Sequence, residues 1–172
     1  QQIGNIMWAV GVLRLDGDEI EDTLGMLCSE AALGLDRFDP QNLANICWGM
    51  SLREVRNDTL ITSIADRVVQ TVAKWSGRDL SLSLPQLIWA HARTGLIRSQ
   101  LLGSAAEVLS PALADVTDWS LSALVWSYAK LDPDRAYADF RRRLVAEVNR
   151  RGLDAQSVSR ARLGPKEWAS TG

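Results

Sequence analysis

Amide and hydroxyl side chains recur in this chain at a spacing that could read nucleobases. They recur at two positions, three residues apart, in the copies of a repeated segment, although not every copy has an amide or a hydroxyl at both. The first position holds Gln2, Asn42, Ser83 and Ser120, with Ser157 in a degenerate fifth copy; the second holds Asn5, Asn45, Gln86, Ala123 and Arg160. In a helix, residues three apart share one face. Proteins that read one base per helical repeat use two or three such side chains per unit. The pattern therefore predicts an RNA-contacting ladder of Gln2, Asn5, Asn42, Asn45, Ser83, Gln86, Ser120 and Arg160.

The same ladder has a purely structural interpretation. Asn and Ser in the first turn of a helix often satisfy local backbone groups, and a polar ladder between stacked helices can serve only to fix their register. Small residues that follow in each copy, Ala9, Gly49, Ala90 and Ser127, would extend the ladder as a shallow surface. Both interpretations stay open from the sequence.

Arginines concentrate near the C-terminal end, where they could meet phosphates. Nine basic residues against three acidic ones lie between Arg135 and Lys166, although the whole chain has a net charge of −2. A basic face is what an RNA-binding domain is expected to carry. We therefore predict phosphate contacts at Arg141, Arg142, Arg143, Arg150 and Arg151. The alternative is an ordinary solvated helix face.

Catalytic chemistry has few candidate residues. The sequence lacks a Gly-rich phosphate loop, a dinucleotide fingerprint, His-Glu-x-x-His and Cys-x-x-Cys. His91 is the single histidine, on an apolar helical segment, and a structural role is expected for it. Cys28 and Cys47 are too few for a disulfide framework or a closed zinc site. The sequence predicts no enzyme activity, no cofactor, no metal and no small-molecule substrate.

The elements that would position these residues follow from a repeat marked by tryptophan. Trp8, Trp48, Trp89 and Trp126 stand 40, 41 and 37 residues apart. Around Trp48, Asp39-Pro40 starts a helical apolar series, and Asn57-Asp58-Thr59 caps a second one. The pattern therefore predicts two helices in each unit. In the second copy the first helix is expected to span about 40–55 and the second about 60–75.

The prediction is an all-α α-solenoid of about four helix-turn-helix repeats, wound as a right-handed superhelix. A helical hairpin of this length gains its core by stacking on its neighbours. The four in-register tryptophans are expected to be buried in the wedges between helices. The units expected are 1–38, 39–79, 80–116 and 117–153, with a partial copy at 154–163 and an irregular tail at 164–172.

The segment Phe38-Asp39-Pro40-Gln41-Asn42-Leu43-Ala44-Asn45-Ile46-Cys47-Trp48-Gly49 resembles the first helix of octotricopeptide-like repeats. It is also similar to repeats of FAST-kinase-like mitochondrial RNA proteins. The likeness spans residues 1 to about 163. It implies single-stranded RNA binding along a helical groove, in mitochondria or plastids, in RNA processing, stability, translation or ribosome assembly.

The leading functional prediction is thus a non-catalytic helical repeat protein that binds single-stranded or ribosomal RNA in an organelle, as part of a ribonucleoprotein. The alternative is a protein-interaction scaffold or accessory subunit of a large complex, which the acidic remainder of the chain favours. The longest apolar stretch, Ile6 to Leu13, is far shorter than the roughly 20 residues of a membrane span, so no membrane insertion is expected.

Overall fold

A computed structural model describes residues 1–154 of the chain. Within that range the structure is all-helical, with eight α-helices and no strand. The helices are α1 (Gln2–Leu13), α2 (Asp18–Ala32), α3 (Pro40–Arg53), α4 (Asp58–Thr71), α5 (Leu84–Thr94), α6 (Ser99–Leu109), α7 (Asp118–Leu131) and α8 (Ala138–Arg150). A wider π-helical turn, Asp79–Ser83, leads directly into α5. The prediction of an all-α protein is confirmed for the described residues.

Local capping chemistry explains where several helices begin. The carboxylate of Asp39 accepts a hydrogen bond from the Asn42 backbone N–H at 2.7 Å, and Pro40 follows it as the first residue of α3. Asn57 caps α4 in the same way, through the N–H of Leu60. Each cap satisfies a backbone donor that the first helical turn leaves without a partner.

The eighth helix begins later than the sequence suggests. The pattern predicts a helix from about 134, whereas α8 begins at Ala138. The carboxylate of Asp132 accepts from the N–H groups of Ala136 and Tyr137, and Arg135 adopts a left-handed φ of 56°. These contacts hold the intervening residues in a turn.

The odd-numbered helices pack on one another in chain order: α1 contacts α3, α3 contacts α5, and α5 contacts α7. Behind them α2 contacts α4, α4 contacts α6, and α7 contacts α8. Helices α1 and α3 run parallel, because Gly4 lies against Asn42 near their N-terminal ends and Gly11 against Gly49 near their C-terminal ends. Residues of equal register also meet in the next two pairs, Asn45 with Gln86 and Trp89 with Trp126. This shared register places the C-terminal ends of the odd-numbered helices at a common edge.

The core is continuous through these contacts, but the tryptophans do not share one environment. Trp48 and Trp89 are buried, and Trp126 is half-buried. Trp8 is 39% exposed, so the expectation that all four rings are buried is wrong for Trp8. Among the described residues, α1 has an odd-numbered neighbour on one side only, which leaves its other side open.

The predicted fifth copy, the tail and Arg160 lie outside the described residues. None of the helices described has the length and apolar character that crossing a membrane requires.

Candidate functional site

The structure buries half of the predicted polar ladder. Asn42, Asn45, Ser83 and Ser120 are buried, whereas Gln2 and Asn5 are exposed and Gln86 is half-buried. The expectation that these side chains form one continuous exposed row is therefore corrected. A buried amide or hydroxyl cannot reach a base edge without a rearrangement of the helices.

The reason is that the ladder lies in the seams between odd-numbered helices. The Nε2 of Gln86 donates to the Oδ1 of Asn45 across the α3–α5 seam at 3.4 Å. A Cβ added to Gly4 would stand 2.7 Å from the Oδ1 of Asn42, which places that amide against α1. Asn42, Asn45 and Gln86 thus lie against a neighbouring helix, whereas the Ser120 hydroxyl accepts from Thr117 Oγ1 at the start of its own helix. Both kinds of contact belong to the structural interpretation of the ladder.

The small residues after the second, third and fourth tryptophans, Gly49, Ala90 and Ser127, are buried, whereas Ala9 on α1 is half-buried. A Cβ on Gly49 would overlap the carbonyl oxygen of Met7, and Ser127 is buried with its hydroxyl donating to the carbonyl of Ala123 at 2.7 Å. These residues allow close helix approach. The expected shallow surface is therefore corrected for Gly49, Ala90 and Ser127.

Two of the predicted phosphate-binding arginines are engaged in structural contacts. The guanidinium of Arg151 donates to the backbone carbonyls of Leu113, Ala114 and Val116, and it forms ion pairs with Asp118 and Glu147. Arg150 pairs with the same Glu147 at 2.6 Å. These cations hold the pKa of Glu147 down to about 2, mainly through hydrogen bonds to its carboxylate.

The remaining three arginines lie on the first half of α8. Arg141 donates to the Asp132 carbonyl at 3.1 Å, and Arg142 pairs with Asp139. Arg143 is exposed. With Arg135 and Val145, Arg141 and Arg142 line a concavity of about 420 Å³. This end of the molecule presents cations, most of them already beside a carboxylate.

A second surface comes from the tryptophans themselves. Two residues after Trp126, Tyr128 packs against the even-numbered side: its hydroxyl donates to the Leu102 carbonyl at 2.7 Å, and its ring lies 4.8 Å from that of Phe140. Two residues turn a helix by about 200°. Trp126 therefore faces away from the even-numbered helices, and by the same register so do Trp48 and Trp89.

The indole rings on this side contact one another from helix to helix. Trp48 stacks on Trp89 with ring centroids 4.3 Å apart, and Trp89 lies 6.2 Å from Trp126. Trp119, which the repeat register leaves without a role, packs its edge against Trp48 at 5.5 Å. The row of rings thus links α3, α5 and α7.

Two cations lie over this row, each one helical turn after a tryptophan. The Arg93 guanidinium is 5.6 Å from the centre of the Trp89 ring, and the Lys130 ammonium is 5.3 Å from that of Trp126. Both side chains are exposed. We call this surface the tryptophan face; it comprises Trp8, Trp48, Trp89, Trp126, Arg93 and Lys130.

Sequence reasoning missed Arg93 and Lys130 because it aligned only the polar positions before each tryptophan. The signal that could have found them is a cation four residues after the tryptophan in the third and fourth copies, where the first two copies have Val12 and Leu52. Residues four apart on a helix are neighbours, so the ring and the charge must meet.

The single imidazole and both thiols lie inside the molecule. His91 is buried, its Nδ1 lies 2.9 Å from the Leu87 carbonyl, and desolvation lowers its pKa. Burial raises the pKa of the Cys47 thiol to about 12. No group of three or more potential metal ligands occurs in residues 1–154.

Comparison with known proteins gives no further guide to the site. No family profile, no curated protein and no solved structure matches this chain.

Proposed function

We propose that the chain is a segment of a right-handed α-solenoid of the octotricopeptide-like type. The parallel odd-numbered helices, in contact in chain order and in equal register, support a repeat arrangement. The residues Phe38 to Gly49 carry the likeness to the family, and an organellar location rests on that likeness alone. Fluorescence microscopy of the tagged full-length protein tests the location.

The function proposed for this solenoid is the binding of single-stranded RNA on the tryptophan face. The observation that carries it is the pair of cations, Arg93 and Lys130, at the same register on adjacent parallel helices and over a row of indole rings. Single-strand binders combine cations that follow the phosphate backbone with aromatic rings on which bases stack. The tryptophan face supplies both groups on one side of the array.

The parts of this face have different roles. Trp48 and Trp89 are buried and support the surface, whereas Trp126 and Trp8 retain exposed ring area that a base can contact. The ladder amides that reach solvent are Gln2 and Asn5, both exposed on α1, and Gln86, half-buried in the α3–α5 seam. Binding of this kind depends on phosphates more than on base sequence, so it depends on the local cations Arg93 and Lys130, because the chain as a whole has a net charge of −2.

The test measures the affinity of the protein for a fluorescein-labelled oligouridine at several salt concentrations. Replacing both Arg93 and Lys130 by Gln is expected to weaken binding. The slope of log K against log[salt] is also expected to become shallower, by about 0.7 for each phosphate that the variant no longer neutralises. Trp8→Ala is expected to weaken binding with an unchanged slope, because it removes a stacking surface and no charge.

A matched control removes two positive charges elsewhere. Arg37 and Lys74 are exposed and follow α2 and α4, away from the C-terminal edge of the odd-numbered helices. The Arg37→Gln, Lys74→Gln variant has the same net charge as the test variant and should bind as the original protein does. Equal weakening in both variants, or no binding by the original protein, contradicts the proposal.

A second candidate function is a protein-interaction scaffold. The observation that favours it is the uncovered side of α1, which exposes Ile6, Trp8 and Leu13.

A further inference from the structure

A cavity opens at the C-terminal edge of the odd-numbered helices, in the seam between α3 and α5. Its walls are the end of α3 and the turn after it, the first turn of α4, and the end of α5. Both α3 and α5 have a further odd-numbered neighbour, α1 and α7, so this seam is complete within residues 1–154. The volume is about 250 Å³. Pockets for drug-sized ligands have roughly 300–1,000 Å³, so this one suits a smaller group such as a single nucleobase.

Four charged side chains line this cavity, and no ion pair joins any two of them. They are Glu54, Arg56, Asp58 and Arg93. Elsewhere in the described chain, neighbouring opposite charges do pair, as Arg53 does with Asp16 and Glu21. Glu54, Arg56 and Asp58 are exposed, and their side chains form no hydrogen bond with residues 1–154. The charged groups around the cavity are therefore available to a ligand.

Arg93 belongs both to this cavity and to the tryptophan face. Its guanidinium lies 5.6 Å from the centre of the Trp89 ring, and its side chain forms part of the cavity wall. A strand whose phosphate meets Arg93 passes the mouth of the cavity. Proteins that recognise single-stranded RNA splay bases out of the strand and hydrogen-bond their edges. A base turned out beside Arg93 can therefore enter the cavity.

The charges around the cavity match guanine better than they match the other bases. Guanine presents two adjacent donors, the N1–H and the exocyclic amino group, which one carboxylate can accept together. Adenine, cytosine and uracil have no such pair of donors. On its other edge guanine presents the acceptors O6 and N7, to which arginine donates two hydrogen bonds. Glu54 or Asp58 can supply the carboxylate, and Arg56 between them in the sequence can supply the guanidinium.

The next seam of the array lacks these carboxylates. Gly95 and Ser99 follow the tryptophan of α5 at the spacings at which the two carboxylates follow the tryptophan of α3. The α5–α7 seam retains a cation, Lys130, at the register of the α5 arginine. Of these two seams, only the one between α3 and α5 therefore combines a cation over an indole ring with a carboxylate beside it.

We propose that this cavity selects a guanine base of the strand bound on the tryptophan face. We call it the guanine pocket; it comprises Glu54, Arg56, Asp58 and Arg93. A carboxylate accepts from the N1–H and the amino group, Arg56 donates to O6 and N7, and Arg93 holds the neighbouring phosphate. The inference rests on the proposed RNA binding and adds a base preference to it.

The test compares a fluorescein-labelled oligouridine with the same strand carrying one central guanosine. The guanosine is expected to raise the affinity by about tenfold, which is the discrimination that one good bidentate contact gives. Inosine lacks the exocyclic amino group and should lose most of this gain, and a deazaguanosine without N7 should lose part of it. Adenosine should give no such gain. These base analogues need no change in the protein, so they test the pocket even where a variant does not fold.

Variants of the pocket assign the preference to its residues. Glu54→Gln with Asp58→Asn is expected to abolish the preference for the guanosine strand, because an amide has only one oxygen acceptor. Arg56→Gln should weaken the preference as well. The matched control, Asp22→Asn with Glu30→Gln, removes two exposed carboxylates of α2 and should keep it. The readout is the ratio of the two affinities, so a general gain from the loss of negative charge cancels.

Failure of the guanine pocket and failure of the proposed function give different results. Equal affinity for the oligouridine and the guanosine strand overturns the pocket and leaves RNA binding in place. The same holds for an unchanged preference in the Glu54→Gln, Asp58→Asn variant, and for an equal gain with adenosine, which would come from purine stacking alone. Absence of binding to either strand overturns both.

Discussion

The tryptophan side chains stabilise the folded chain and also border the tryptophan face. Trp48 and Trp89 are buried, yet both side chains face away from the even-numbered helices. They are covered by other rings, chiefly by each other and by Trp119. The indole N–H groups of Trp48 and Trp119 have no acceptor among residues 1–154. Stacking and dispersion, rather than hydrogen bonding, therefore hold these two rings.

Equivalent tryptophans should contribute unequally to stability. Trp48→Ala is expected to lower the free energy of unfolding by about 3–5 kcal/mol, because it empties a buried volume between other rings. Trp8→Ala, at the same register but partly exposed, should cost less than about 2 kcal/mol. Urea unfolding followed by circular dichroism measures both values. Equal losses of stability would contradict the burial difference.

His91 should make stability depend on pH. Burial lowers its pKa in the folded chain, so below about pH 6.5 the unfolded chain binds the proton more readily. Stability is therefore expected to fall as pH drops from 7 to 5, by at most about 1.4 kcal/mol per pH unit for one proton. His91→Met, which copies the Met50 of α3, should flatten this part of the profile. A profile identical in both proteins would show that His91 is not responsible.

At the scale of the helices, the approach of α1 to α3 depends on glycine. Gly11 and Gly49 face each other, and a Cβ on Gly11 would stand 2.8 Å from the Gly49 Cα. A side chain larger than hydrogen at either position must push the helices apart. This contact also explains why the residue after the second tryptophan is glycine.

Gly49→Ala should separate α1 from α3. The added methyl group meets the rigid backbone of Met7, so we expect stability to fall by about 1–3 kcal/mol. Gly25→Ala in α2 is the matched control: no heavy atom lies within 4 Å of its added Cβ, and it should stabilise by about 0.4–1 kcal/mol. Thermal unfolding of the two variants and of the original protein measures these changes in stability. A neutral or stabilising Gly49→Ala would contradict this close approach.

In the whole molecule, each helical hairpin depends on its neighbours for its core. Within the described residues α1 and α2 have contacts on one side, whereas α3 lies between α1 and α5. Local opening is expected to begin where fewer contacts must break. The outer hairpin should therefore open more often than the second.

The rates at which the two thiols react with a labelling reagent measure this difference in opening between the first and second hairpins. Burial raises the pKa of both, that of Cys47 to about 12, so neither should react with a thiol reagent at pH 8 in the closed state. In single-thiol variants made by Cys→Ala, Cys28 in α2 should label faster than Cys47 in α3, through opening of the first hairpin. Faster labelling of Cys47 would contradict the order of opening.

Sequence reasoning located both helices of the second copy to within a few residues, because caps and apolar spacing are local signals. Asp39 and Asn57 make the capping hydrogen bonds that their positions predict. The start of α8 was missed because Asp132 holds the preceding turn through contacts that no helical periodicity reveals. The repeat also predicted correctly that Trp48 and Trp89 are buried.

Functional surfaces were harder to predict, because helical spacing shows which residues share a face but not whether another helix covers that face. The polar ladder was correctly placed on one helix face, but only the packing of α3 against α1 and α5 decides that this face is a seam. The sequence predicts Arg151 to be a surface cation. In the structure its guanidinium instead binds backbone carbonyls of the segment before α7, more than thirty residues earlier in the chain. Its partners cannot be inferred without the chain path.

The order of residues alone determined the helical hairpins, their period and the register that aligns the tryptophans, since these depend on spacing within single helices. Tertiary contact decided which of the regularly spaced side chains meet solvent. Asn42 is buried and Gln2 exposed at the same register, because α3 has α1 against that side and α1 has no such neighbour among residues 1–154. Exposure depends on what packs against a face, and that depends on the arrangement of all the helices.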